Sequence, residues 1–212
     1  MNTIKSIIFD LGGVILNINY ELTSKHFENL GSFQFDTIYN QAKQMEIFNL
    51  LETGKISPAV FRLKLKKLMH LTVSDEKFDT SWNAMLLDLP IKRLELIKSL
   101  KFTYNTFLLS NTNEIHIKAF KKIINQKIGY SNFTSCFDKC YLSSEIGLRK
   151  PNIDCFNYVL KQNNLLAEQT LFIDDSIQHI EGAQKAGLKT YHLKKEEDLV
   201  ISFPDIIQST RH

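Results

Sequence analysis

The feature that most constrains this chain is a run of β-branched and aromatic residues, Ile4 to Phe9, that stops at a carboxylate, Asp10, with Gly12 and Gly13 just beyond. A short apolar run with no polar alternation reads as a strand buried on both faces, and the glycines that follow read as a tight loop. The pattern recurs at Thr106–Leu109, Phe137–Leu142 and Thr170–Ile173, and Lys189–Leu193 is a last strand candidate. Helical periodicity fills most of the chain between these runs. Strands alternating with helices predict an α/β fold, a parallel sheet with helices on its faces.

One connection breaks the alternation. Between Asn17 and Pro90 no strand pattern is found, and helices are predicted over about 21–30, 36–51, 58–70 and 75–87. Ser57-Pro58 is a cap followed by proline at the first helical position, and Ser74 can cap the next helix. The reading is a small helical domain, residues 17–90, inserted after the first strand. Residues 1–16 and 91–212 form the α/β core. The 212 residues, 43% hydrophobic, suffice for one core and a small appendage.

Ligands of open parallel sheets bind outside the carboxyl ends of the strands. Asp10 follows the first strand, Ser110-Asn111-Thr112-Asn113 the second, the loop Ser143 to Pro151 with Lys150 the third, and Asp174-Asp175 the fourth. Clustered carboxylates repel one another unless a cation joins them, and oxygen ligands suit Mg²⁺. A lysine offsets phosphate charge, while a hydroxyl and backbone N–H groups hold its oxygens. A carboxylate can attack phosphorus and split one hydrolysis into two easier steps. Each residue alone has an ordinary alternative: a turn, a helix cap, a surface lysine or a solvated acidic pair. The ordered combination is what points to phosphate chemistry.

FDLGGV, LLSNTN, SSEIGLRKP and FIDDS resemble motifs I to IV of the haloacid dehalogenase-like (HAD) hydrolase superfamily. The resemblance spans nearly the whole chain and implies a Rossmann-like core with a small C1-type cap, where the helical insert lies. It implies that Asp10 attacks phosphate and that Ser110 and Lys150 hold it, with Leu11, Gly12 and Asn111 also at the phosphate. It implies Mg²⁺ bound through Asp10, the Gly12 carbonyl and Asp175 as direct ligand, with Asp174 close by as an outer or alternative ligand. His179 stands where many members carry a further acid.

The main departure is Gly12. In most phosphatases of this family the residue two beyond the nucleophile is an Asp that serves as general acid and base. Its loss typically costs about 10²–10⁴-fold where an acid is needed. Three readings follow. One is a phosphatase whose leaving group needs little protonation, such as an anomeric sugar phosphate; another is a metal-free dehalogenase; the last is a weak regulatory or binding member. The acidic pair counts against the second and the complete phosphate-holding set against the third. Motif I with glycine, together with SNTNEIHI and ETGKIS, is similar to bacterial α-D-glucose-1-phosphate phosphatases. The expected substrate is a small phosphorylated metabolite.

In the insert, Glu52 and Gly54 mark a turn that would reach the site, and Glu52 could accept hydrogen bonds from sugar hydroxyls. Glu46 and Asn49 precede that turn, and Asn17, Asn19 and Tyr20 follow motif I. Trp82, Phe78 and Met85 read as core, and His116 as a structural residue between Ile115 and Ile117. A net charge of +3 gives no reason to expect nucleic acid or an anionic membrane. Three cysteines make neither a disulfide framework nor a zinc site. No apolar stretch approaches a bilayer span of about 20 residues. The chain reads as a cytoplasmic monomer or homodimer.

Overall fold

The computed structural model of the protein describes residues 3–32, 35, 37 and 46–210. Five strands form one parallel sheet: β1 (Ser6–Phe9), β2 (Asn105–Ser110), β3 (Lys139–Leu142), β4 (Thr170–Asp174) and β5 (Lys189–His192), in the order β3-β2-β1-β4-β5. β1, β2 and β4 are buried along almost their whole length, which is why their sequences do not alternate. One face packs Ile7, Phe9, Leu108, Leu171 and Ile173 with the helices of that side. The other packs Ile8, Phe107, Leu109 and Phe172 with Phe156 and Ile180.

Between β1 and β2 lie α1 (Tyr20–Asn29), α2 (Ile47–Glu52), α3 (Pro58–Leu68), α4 (Asp75–Trp82) and α5 (Ile91–Leu100). Asn19, Ser57 and Ser74 cap α1, α3 and α4 through their side chains, satisfying N–H groups that each helix start leaves unpaired. The first four helices carry their own aromatic core, in which Phe27, Phe48, Phe61, Phe78 and Trp82 meet, joined by Ile115 from the other side. Of the helix predicted over 36–51, helix is found at Thr37 and from Ile47 onward, and residues 36 and 38–45 lie outside the described residues.

The helix predicted over 75–87 stops at Trp82 and passes through a 3₁₀ turn, Asn83–Met85. The chain extends here because residues 85–88 pair with 17–19. Asn17 N–H donates to Asp88 O (3.0 Å), Leu87 N–H to Asn17 O (3.0 Å), and Asn19 N–H to Met85 O (2.9 Å). The two chain segments leading into and out of the insert are thus zipped together. Arg93 of α5, buried, fastens this zipper by donating to Asn17 Oδ1 at 2.9 Å. The remaining helices are α6 (Glu114–Lys127), α7 (Tyr130–Thr134), α8 (Ser143–Ile146), α9 (Ile153–Gln162), α10 (Ile177–Lys185) and α11 (Leu199–Ser209).

Candidate active site

The sheet order places β1 between β2 and β4, where connections leave in opposite directions. A crevice opens at such a switch point, outside the carboxyl ends of the strands. Phe9 is level with Ile173 of β4 and Leu108 of β2. The next residues are therefore neighbours: Asp10, Asp174-Asp175 and Ser110. All but Asp174 line a cavity of about 710 Å³ between the sheet edge and the insert.

Lys150 ties the strand ends together. Its ammonium has no exposed surface and donates to Asp10 Oδ1 at 2.7 Å and to Asp174 Oδ2 at 2.6 Å. Burial opposes the charged amine, but the two carboxylates outweigh it and hold the Lys150 pKa above its ordinary value. Burial likewise opposes the Asp174 anion, yet the Lys150 charge and a 3.0 Å contact with His179 bring that carboxyl down to about 2. Asp10 ends up raised: its burial exceeds the help from Lys150, whose charge Asp174 already shares. Asp174 Oδ1 also accepts the Ser176 N–H (2.8 Å), so both its oxygens are engaged.

Asp175 is the carboxylate that faces the cavity. Burial and the neighbouring Asp10 and Asp174 charges push it up to about 7. Oxygens of Asp10, Asp174 and Asp175 lie within 4.8 Å of one another. Three carboxylates so close, one of them pushed up by burial and by its neighbours' charges, form a donor set that a hard divalent cation would relieve. Gly13 makes this approach possible. Its φ is +76°, and a Cβ there would overlap the Asp175 carboxylate.

Asn111 acts as a splint: its Nδ2 donates to Lys150 O (2.8 Å), and Lys150 N–H donates back to its Oδ1 (2.9 Å). Ser143 Oγ ties the same two loops at Thr112, accepting its N–H at 2.9 Å and donating to its carbonyl at 3.0 Å. The Asn111 side chain is thus spent on positioning Lys150, and what it offers the cavity is backbone. Ser110 is buried and lines the cavity, with only a 3.5 Å contact to its neighbour's carbonyl. Leu11 and Gly12 form the cavity wall next to Asp10.

Glu52, at the end of α2, does reach the cavity. Its Oε2 lies 3.0 Å from Arg149 Nε, an ion pair off-axis for a hydrogen bond, so both atoms are buried without a hydrogen-bond partner. Burial raises the Glu52 pKa against the pull of Arg149. Two other residues expected near the substrate are placed elsewhere. Glu46 is exposed at the start of α2, and the Asn19 side chain caps α1 by accepting the Glu21 N–H; neither is on the cavity wall. Conversely, His116 and Trp82, expected to be structural, both line the cavity. Their spacing gave no such signal, because the wall exists only where α4 and α6 meet.

Comparison with known proteins follows the same lines. Residues 118–193 match a family model described as haloacid dehalogenase-like hydrolase. The chain is 31% identical to D-ribitol-5-phosphate phosphatase of Bacteroides thetaiotaomicron, over 92% of this chain and 94% of that protein. A HAD family enzyme from B. thetaiotaomicron, solved in complex with magnesium and inorganic phosphate, superimposes with a TM-score of 0.83 at 34% identity, covering 94% of this chain and 99% of that one. A HAD-like family hydrolase from Porphyromonas gingivalis gives a TM-score of 0.85 at 27% identity, over 97% and 98% of the two chains.

Proposed function

This chain belongs to the haloacid dehalogenase-like hydrolases, and from that premise we propose that it is a Mg²⁺-dependent phosphatase of a small sugar or polyol phosphate, with Asp10 as nucleophile. The observation that carries the reading is Lys150, buried between Asp10 and Asp174 with Asp175 on the cavity side. A dehalogenation site attacking carbon has no use for three converging carboxylates; phosphoryl transfer does.

Bound by Asp10, Asp175 and the Gly12 carbonyl, with Asp174 behind them, Mg²⁺ would neutralise phosphate charge and draw Asp10 and the phosphate together. Lys150 holds Asp10 Oδ1 in place, leaving Oδ2, which no described group hydrogen-bonds, to attack. The Oδ2 electron pair forms a bond to phosphorus as the bond from phosphorus to the alcohol oxygen breaks. Ser110 and the backbone N–H groups of Leu11, Gly12 and Asn111 hold the phosphate oxygens. The alcohol leaves with a proton drawn from water, because Gly12 supplies none. Water then attacks the aspartyl-phosphate, returning Asp10 as carboxylate and releasing inorganic phosphate.

The match to a phosphatase of D-ribitol 5-phosphate bears on the leaving group. A primary alcohol leaves less readily than the anomeric hydroxyl expected from the motif wording. We therefore favour a polyol phosphate over an anomeric one, with water next to Gly12 as the proton source. The insert acts as the cap that covers the substrate. The purified protein with Mg²⁺ is expected to hydrolyse p-nitrophenyl phosphate, to lose that activity in EDTA, and to lose it in Asp10→Asn. Activity that survives the substitution overturns the nucleophile assignment; activity that survives chelation overturns the metal.

A further inference from the structure

The far wall of the cavity carries a recognition element that the phosphate chemistry does not use. His116 lies in the first turn of α6, six residues beyond Ser110, and reaches the insert. Its ring stacks on Trp82, centroids 5.4 Å apart and planes 9° apart, and Trp82 stacks in turn on Phe48 at 5.7 Å. Its Nδ1 lies 2.8 Å from Asn83 Oδ1. With the Asn83 carbonyl oxygen facing the ring, Nδ1 carries the hydrogen. In a neutral ring, Nε2 is then an acceptor.

The ring is neutral. Burial pushes the His116 pKa down to about 4, and no neighbouring charge acts against that. Nε2 makes no hydrogen bond among the described residues, although the imidazole is half-buried on the cavity wall. Trp82 Nε1, in the same wall, is buried without a partner as well. Around them stand Phe48, Thr23, Thr112 and Phe120. Among the described residues that line the cavity, the only guanidinium or ammonium belongs to Arg149, and it is paired with Glu52.

We propose that His116 is a specificity residue, whose Nε2 accepts a hydrogen bond from a hydroxyl of the departing alcohol, and that this wall selects an uncharged, hydroxyl-bearing leaving group. The inference rests on the phosphatase reading. An acceptor in an aromatic wall rewards a hydroxyl and repels a second carboxylate or phosphate, which finds no free cation among the described residues. Apolar alcohols fill the wall but leave both ring nitrogens, of His116 and of Trp82, unpaired.

The test is a specificity ratio, measured with Mg²⁺ on the full chain. kcat/KM is determined for an open-chain pentitol 5-phosphate, for phenyl phosphate and for 2-phosphoglycolate. The wild type is expected to prefer the pentitol ester to phosphoglycolate. In His116→Phe, which keeps a ring against Trp82 but removes the acceptor, the pentitol-to-phenyl ratio should fall about tenfold, the cost of one hydrogen bond. His116→Gln, whose side-chain oxygen can stand near Nε2, should recover part of it. Asn83→Leu, which frees Nδ1 and with it the tautomer, should lower the same ratio without touching the ring. An unchanged ratio in both His116→Phe and Asn83→Leu overturns the inference, as does wild-type turnover of phosphoglycolate equal to that of the pentitol ester. No phosphate release by the wild type from any of the three esters overturns the phosphatase reading itself, and this inference with it.

Discussion

Gly12 is the residue at which the sequence departs most from the family motif it resembles, and its surroundings are specific. A Cβ there would sit 3.3 Å from Ile18 Cδ1, so an added side chain would press on an apolar neighbour. The backbone is not in the left-handed region, so an L-residue is conformationally allowed. Gly12→Asp is therefore expected to fold, at a cost of about 1 kcal/mol as Ile18 moves aside. It should raise kcat for alkyl phosphates by about 10²-fold, while p-nitrophenyl phosphate, whose leaving group needs no proton, gains little. Steady-state kinetics on the two ester types checks this; an equal gain on both would mean that the carboxylate acts other than as an acid. The neighbouring carboxylates obey the opposite constraint. Asp174 and Lys150 stay charged because they hold each other, while Asp175, buried and facing two like charges, is pushed up to about 7.

At the level of elements, the five strands fell close to the segments read from the sequence, and β1, β2 and β4 did so because buried parallel strands are continuous apolar stretches. The exceptions are instructive. β3 starts at Lys139 rather than Phe137, since Asp138 pairs with Thr106 through both its backbone N–H (2.7 Å) and its side chain (2.8 Å) and turns the chain into the sheet. The α4 helix ends at Trp82 because residues 85–88 are claimed by backbone bonds to 17–19. Neither partner can be inferred from the local pattern. The Asn111 splint is of the same kind: its position after β2 was legible, but its work on the Lys150 backbone 39 residues away was not. Asn111→Ala is expected to lower kcat by about 10-fold or more with a smaller change in KM, because it loosens the loop that aims Lys150 and leaves Ser110 unaltered. A rise in KM alone, at unchanged kcat, would place the Asn111 side chain on the substrate instead.

At the scale of the molecule, core and insert meet through α6, whose Ile115 enters the aromatic cluster of the insert while His116 stacks on Trp82. That contact couples stability to pH. The unfolded chain takes a proton on His116 near the ordinary value of 6.5, whereas the folded protein resists it until about 4. The unfolded state thus binds more protons between these values, and stability must fall as the pH drops through them. Between pH 7 and pH 5 this group alone should remove about 2 kcal/mol. Urea unfolding at the two pH values should show a smaller loss in His116→Phe than in the wild type by about that amount. Identical losses would mean that the ring is already open to protonation in the folded state.

The sequence by itself determined the α/β class and the order in which Asp10, Ser110, Lys150 and the Asp174-Asp175 pair arrive at the strand ends. It could do so because burial writes strands as apolar runs and because a chain must place its chemistry where those runs stop. Only the tertiary structure decided how these residues act on one another. It decided that Lys150 is shared by two carboxylates, that Asp175 rather than Asp174 faces the cavity, that Glu52 is paired with Arg149, and that His116 and Trp82 line the cavity. Each of these depends on a contact between residues far apart in the chain, and on the loss of water around it. Periodicity reports which face of an element is buried, and it is silent on what that face meets.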